Sequence, residues 1–157
     1  MMMHEDFLRE AIRLATEGVS RGDGGPFGAV IVQGGIIIGR GWNRVLLTND
    51  PTAHAEVVAI REACLHVGNY HLTGSIVYAS CEPCPMCLAA CYWAQCERVI
   101  YSATSADAAA AGFADDFIRR DLIEPLENRK LLLAQMLPGE RLQPFNAWQA
   151  KADRRMY

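Results

Sequence analysis

Apolar residues recur at helical spacing from Glu5 to about Ser20. Phe7, Leu8, Ala11, Ile12, Ala15 and Val19 form one stripe, and Glu5, Arg9 and Arg13 stand off it. The pattern predicts an amphipathic helix that the Gly22–Gly25 stretch ends. Two short β-branched runs follow, Ala29–Val32 and Ile36–Ile38, joined at Gly34-Gly35, and read as a hairpin. After Pro51 and Thr52, the Ala-, Glu- and Val-rich segment from His54 to about His66 predicts a second helix. Ser75–Ser80 reads as a strand, Pro83-Cys84-Pro85 as a turn into a helix running to about Ala94, and Arg98–Ser102 as a further strand. Ser105–Ala111 should be helical and broken at Gly112. Asp116–Asp121 and Arg129–Leu137 carry no decisive period, and the tail from Pro144 to Tyr157 fits helix or coil. Helix, hairpin, helix, strand, helix, strand, helix is the order of an α/β sheet covered by helices on both faces.

A length of 157 residues points to one domain, spanning residues 1–157 without internal repeat or linker. Hydrophobic residues make up 51% and charged residues 21%, far from a disordered composition. Lys and Arg total 15 against 18 Asp and Glu, which argues against broad phosphate binding and makes nucleic acid an unlikely partner. No apolar run approaches the ~18 residues of a membrane span, and the segment from Met1 to Glu10 carries early charges where a signal peptide needs an apolar stretch. The expectation is a cytoplasmic protein with no membrane partner.

The cysteines change this bland picture. Cys81, Cys84, Cys87, Cys91 and Cys96 cluster within sixteen residues, while Cys64 stands apart. Secreted scaffolds spread their cysteines, whereas clustered ones in an intracellular chain bind metal or do thiol chemistry. Zinc favours imidazole and thiolate, and a catalytic site uses three protein ligands plus water. His54, Cys84 and Cys87 supply such a set, one Zn2+ per chain. Cys84 and Cys87 share one face at a helix start whose dipole favours thiolates. Glu56, two residues from the imidazole, is placed to carry protons without binding the ion. The H-x-E…P-C-x-x-C arrangement is the described signature of zinc deaminases. Two other readings use the same residues. A closed structural site would add Cys81 and leave Glu56 without a task, making the chain a zinc-stabilised interaction domain. A redox pair at Cys84 and Cys87 would need neither His54 nor Glu56. Cys64 and Cys96 read as small buried hydrophobes, Cys91 as packing under the ligand helix, and His4, His66 and His71 as surface residues.

Beyond these motifs, the chain resembles the cytidine deaminase superfamily and, within it, the short bacterial guanine deaminases. The segments carrying this are Gly24-Gly25-Pro26-Phe27-Gly28-Ala29-Val30-Ile31-Val32, Asn49 to Val57, Ser80-Cys81-Glu82-Pro83-Cys84-Pro85-Met86-Cys87, Ala111-Gly112-Phe113 and Tyr157. The resemblance implies a three-layer α/β/α sandwich around a five-stranded mixed sheet. It also implies a homodimer in which a tail of about residues 144–157 crosses to the partner. His54, Cys84 and Cys87 match the zinc ligands, Glu56 the proton shuttle, and Asp115 a second carboxylate, with Asp116 competing for that part. Asn43, Phe27, Ala55, Trp93, Phe113 and Tyr157 match a purine pocket, with Phe113, Asp115 and Tyr157 contributed by the partner subunit. The amide of Asn43 could pair with a purine edge through a donor and an acceptor. The implied reaction is hydrolysis of guanine to xanthine and ammonia. Guanosine, cytosine, an aminotriazine and tRNA adenosine are the competing substrates, the last supported by Lys151, Arg154 and Arg155.

Overall fold

A computed structural model describes residues 3–157; Met1 and Met2, the start of the segment weighed above as a signal peptide, lie outside the described residues. The chain forms two units, one reaching Phe117 and the other Ile118–Tyr157, and each is described by itself.

The first unit is built on helix α1 (His4–Arg21), strands β1 (Gly28–Gln33) and β2 (Ile36–Trp42), a short helix α2 (Val45–Thr48) and helix α3 (Ala55–Val67). Strand β3 (Ser75–Cys81), helix α4 (Pro85–Trp93), strand β4 (Arg98–Ala103) and helix α5 (Ser105–Ala110) follow. The hairpin forms as the pattern predicts. Gln33 pairs with Ile36 across Gly34 and Gly35, whose φ of 58° and 80° suit the left-handed two-residue turn. The sheet runs β2-β1-β3-β4, antiparallel except for the parallel β3–β4 pair. It is mixed, as expected, but has four strands among the described residues, not five. Arg129–Leu137, which carries no decisive period in the sequence, joins no ladder.

Helices cover both faces. Phe7 and Leu14 of α1 pack with Val30, Val32 and Tyr78 on one side. Ala55, Ala59 and Ala63 of α3 and Cys91 of α4 pack with Ala29, Ile31 and Val77 on the other. Glycines in the strands let these helices come close. A Cβ on Gly28 would stand 2.1 Å from the Ala11 carbonyl oxygen, and one on Gly41 2.1 Å from that of Ala55. The second contact matters for function, because it seats the start of α3, where His54 and Glu56 lie, directly on the sheet.

The second unit contains most of helix α6 (Asp116–Ile123), a single helical turn at Leu126–Asn128 and helix α7 (Gln143–Ala150). Arg129 donates to the carbonyls of Glu124 and Leu122 (both 3.0 Å), closing the end of α6. None of residues 118–157 is buried, and Leu131, Leu132, Leu133, Met136 and Leu137 are between 57% and 81% exposed.

Candidate active site

Two helix starts make the site. His54 is the residue just before α3, its carbonyl accepting the N–H of Val58 (3.0 Å). Cys84 holds the same position on α4, with Pro85 opening the helix and the Cys84 carbonyl accepting Leu88 N–H (2.9 Å). The positive ends of both helices therefore face the cluster. His54 Nδ1 lies 3.5 Å from Cys84 Sγ and 3.5 Å from Cys87 Sγ. Zinc–nitrogen and zinc–sulfur bonds of ~2.05 and ~2.3 Å at a tetrahedral angle require a separation of about 3.6 Å. The donor set and its spacing thus fit zinc, and His54 Nδ1, Cys84 and Cys87 are placed to bind it. Cys81, the extra ligand of the closed alternative, instead donates its thiol to the Thr104 carbonyl (3.5 Å) and is no member of the cluster.

The charges agree with that assignment. The Cys84 thiol is held down at about 4, first by the hydrogen bond from Cys87 and then by that from His54. Cys87, the donor, is pushed above the ordinary thiol range, and the thiolate of Cys84 raises His54. The two sulfurs share a proton that a divalent cation would replace. Glu56 is 7% exposed, and burial raises its carboxyl above the ordinary range. It lies within hydrogen-bonding reach of Cys87 and makes no part of the ligand set.

Asn43 sits at the end of β2, 6% exposed. Arg44 N–H donates to the Ala53 carbonyl (2.9 Å), which ties this strand end to the residue before His54. The Asn43 Oδ1 accepts the backbone N–H groups of Gly25 and Val45 (both 3.2 Å). Its acceptor is therefore spent, and only the NH2 remains to meet a ligand. Gly24 makes this possible, since a Cβ there would lie 2.1 Å from Asn43 Oδ1.

The aromatic residues divide. Phe27 and Phe113 meet edge-on, ring centroids 5.2 Å apart, over Gly25. That pairing is within one chain. Asp115 is half-buried and close enough to Cys81 to help raise that thiol, together with Glu56; Asp116 is exposed in the first turn of α6. Ala55 is fully buried beneath Gly41. Trp93 ends α4 with 70% exposure, because Cys87 and Cys91 take the inward face of that helix. Tyr157 belongs to the second unit and is 76% exposed. Cys91 is buried in the core, and Cys64 and Cys96 pack half-buried against it. Sequence reasoning passed over Glu82, whose carboxylate accepts Ser105 N–H (3.0 Å). The signal was present in Thr104-Ser105-Ala106-Asp107, the spacing of a reciprocal helix cap.

The cytidine and deoxycytidylate deaminase zinc-binding region matches residues 1–103. The chain belongs to the cytidine and deoxycytidylate deaminase family. Within that family it is 53% identical to guanine deaminase of Bacillus subtilis, over 99% of this chain and all of the relative. The crystal structure of that Bacillus subtilis deaminase superposes with a TM-score of 0.96, covering 99% of both chains. A tRNA-specific adenosine deaminase of Haemophilus influenzae is 36% identical over 76% of this chain and 72% of its own. The family's zinc is the cofactor of this chain. No helix among the described residues is long and apolar enough to cross a membrane.

Proposed function

We propose that the protein hydrolyses guanine to xanthine and ammonia. The observation that carries this is the end-to-end likeness to a guanine deaminase, 99% of the chain at 53% identity, where the tRNA-specific relative covers 76%. His54, Cys84 and Cys87 hold the ion, which when bound supplies Lewis-acid activation of a water molecule. Glu56 moves two protons in turn. The first goes from the attacking water to a ring nitrogen as the C–O bond forms. The second goes from the added hydroxyl to the amine as the C–N bond breaks, releasing ammonia and leaving the new carbonyl of xanthine. A carboxyl raised by burial suits a group that must both accept and donate. Asp115, half-buried where Asp116 is exposed, assists at the departing amine. The Asn43 NH2 meets an acceptor atom of the purine, of which guanine has O6, N7 and N3, and Phe27 and Phe113 form one wall above Ala55.

In this reading the working form is a cytoplasmic homodimer built from single-domain chains. Residues 144–157 cross to the partner and bring Tyr157 to a pocket that also includes Trp93. The support is that the second unit buries none of its own residues, and a segment so apolar does not stay idle in water.

Ammonia release from guanine, guanosine, adenine, cytosine, cytidine and ammeline at equal concentration tests the substrate. Guanine should lead by at least tenfold, with no steep loss on adding salt. Faster turnover of a nucleoside, of cytosine or of ammeline would replace this reading.

A further inference from the structure

The proposed reaction gives no part to Glu82, which stands two residues before the ligand Cys84. In the fold it lies on a seam. β3 and β4 run in parallel as far as the pair Cys81 and Ala103. Just beyond, Glu82 N–H donates to the Ala103 carbonyl (2.8 Å) and the Cys81 thiol to that of Thr104 (3.5 Å). Glu82 Oε2 then accepts the N–H of Ser105 (3.0 Å), the first residue of α5. That N–H has no acceptor inside its own helix, so the carboxylate caps it and also meets the positive end of the dipole. Thr104 and Asp107 complete the cap with bonds of 2.8 and 3.2 Å.

What α5 carries at its other end gives the seam its meaning. Gly112 turns the chain at φ 93°, and the N–H groups of Gly112 and Phe113 return to the carbonyls of Ala109 (3.0 Å) and Ala108 (2.9 Å). The backbone of Phe113 is thus fastened to the helix end, and its ring stands against Phe27. A helix of six residues does not hold itself in water and depends on its caps.

We propose that Glu82 is a positioning residue. Its carboxylate pins the start of α5 to the loop that carries Cys84, and through this short helix sets the distance between the metal ligands and the Phe113 wall. The inference rests on the reading of Phe113 as part of the purine pocket.

The same bond can be removed from either side. Glu82→Ala deletes the acceptor. Ser105→Pro deletes the donor at the one helical position where proline is well tolerated, after a Thr104 already extended at ψ 167°. In the zinc-loaded protein without substrate, each variant should speed hydrogen exchange at the Phe113 amide by about 5- to 10-fold, the worth of one charge-assisted cap. Leu88 in α4 and the zinc content should not change. Guanine kcat/KM should fall by a similar factor in each, and the double variant should be no worse than either single one. Glu82→Gln keeps an acceptor oxygen and should restore most of both readouts. Unchanged exchange at Phe113, or losses that multiply in the double variant, would overturn the proposal. If Glu82→Ala fails to fold, Ser105→Pro alone decides. If the wild type does not act on guanine, the exchange measurement still decides the latch while the substrate reading falls.

Discussion

At Glu56 burial and ionisation pull against each other, and the proposed reaction draws on that balance. A carboxylate in water would hold its charge and give up protons too readily; one buried at 7% exposure can hold the proton and return it. Glu56→Gln keeps the shape and the zinc, because Glu56 is no ligand, but cannot carry a proton. Turnover of guanine should drop by about 10²–10⁴-fold at unchanged metal content, read by ammonia release beside metal analysis. Retained turnover would take the shuttle away from Glu56. His54, Glu56, Cys84 and Cys87 were legible in the sequence because spacing along two helix starts suffices to converge them. The polarity of Asn43 was not, since it depends on the N–H groups of Gly25 and Val45, brought together only by the folded loops.

Among the elements, α1, β1, α3, β3, α4 and β4 fall within a residue or two of their predicted bounds. Each is long enough for a stripe or alternation to show. By contrast, β2 runs on four residues past Ile38 to Trp42, through Gly39 and Gly41, which hide its alternation. The four-residue α2 escaped, being shorter than any period and stabilised from outside by the Asp23 carbonyl, which accepts Leu46 and Leu47 N–H (3.1 and 2.9 Å). The packing of α1 on β2 carries a pH signature. Glu10 accepts from Arg13 (2.7 Å) and from Arg40 of β2 (3.2 Å), and these partners, Arg13 first, hold its carboxyl below the usual range. A lowered carboxyl in the folded chain adds stability above the unfolded value of ~4.3, and this is lost as pH falls through the folded value. Glu10→Gln should therefore melt below the wild type at pH 7, and the gap should close in thermal scans taken below about pH 4. A gap independent of pH would mean that packing, not charge, joins the two elements.

For the whole molecule, the core is gathered in the unit that ends at Phe117, which holds every buried residue among those described. Deleting residues 144–157 should leave zinc bound and the melting transition cooperative, yet cut guanine turnover at least tenfold, since the deletion takes Tyr157 with it. A truncated chain that works normally would leave the tail without a role in the pocket. The five strands came from the resemblance and not from any run in this sequence, and the described residues form four.

Among the described residues the sheet ends on β4, which pairs only with β3 and leaves Tyr101 44% exposed. A row of amide groups with no neighbour recruits any extended peptide that drifts past, including stray copies of the same strand. A variant that loosens β4 would then be seen first in the test tube as haze on standing, with light scattering rising while the soluble remainder still melts where it should.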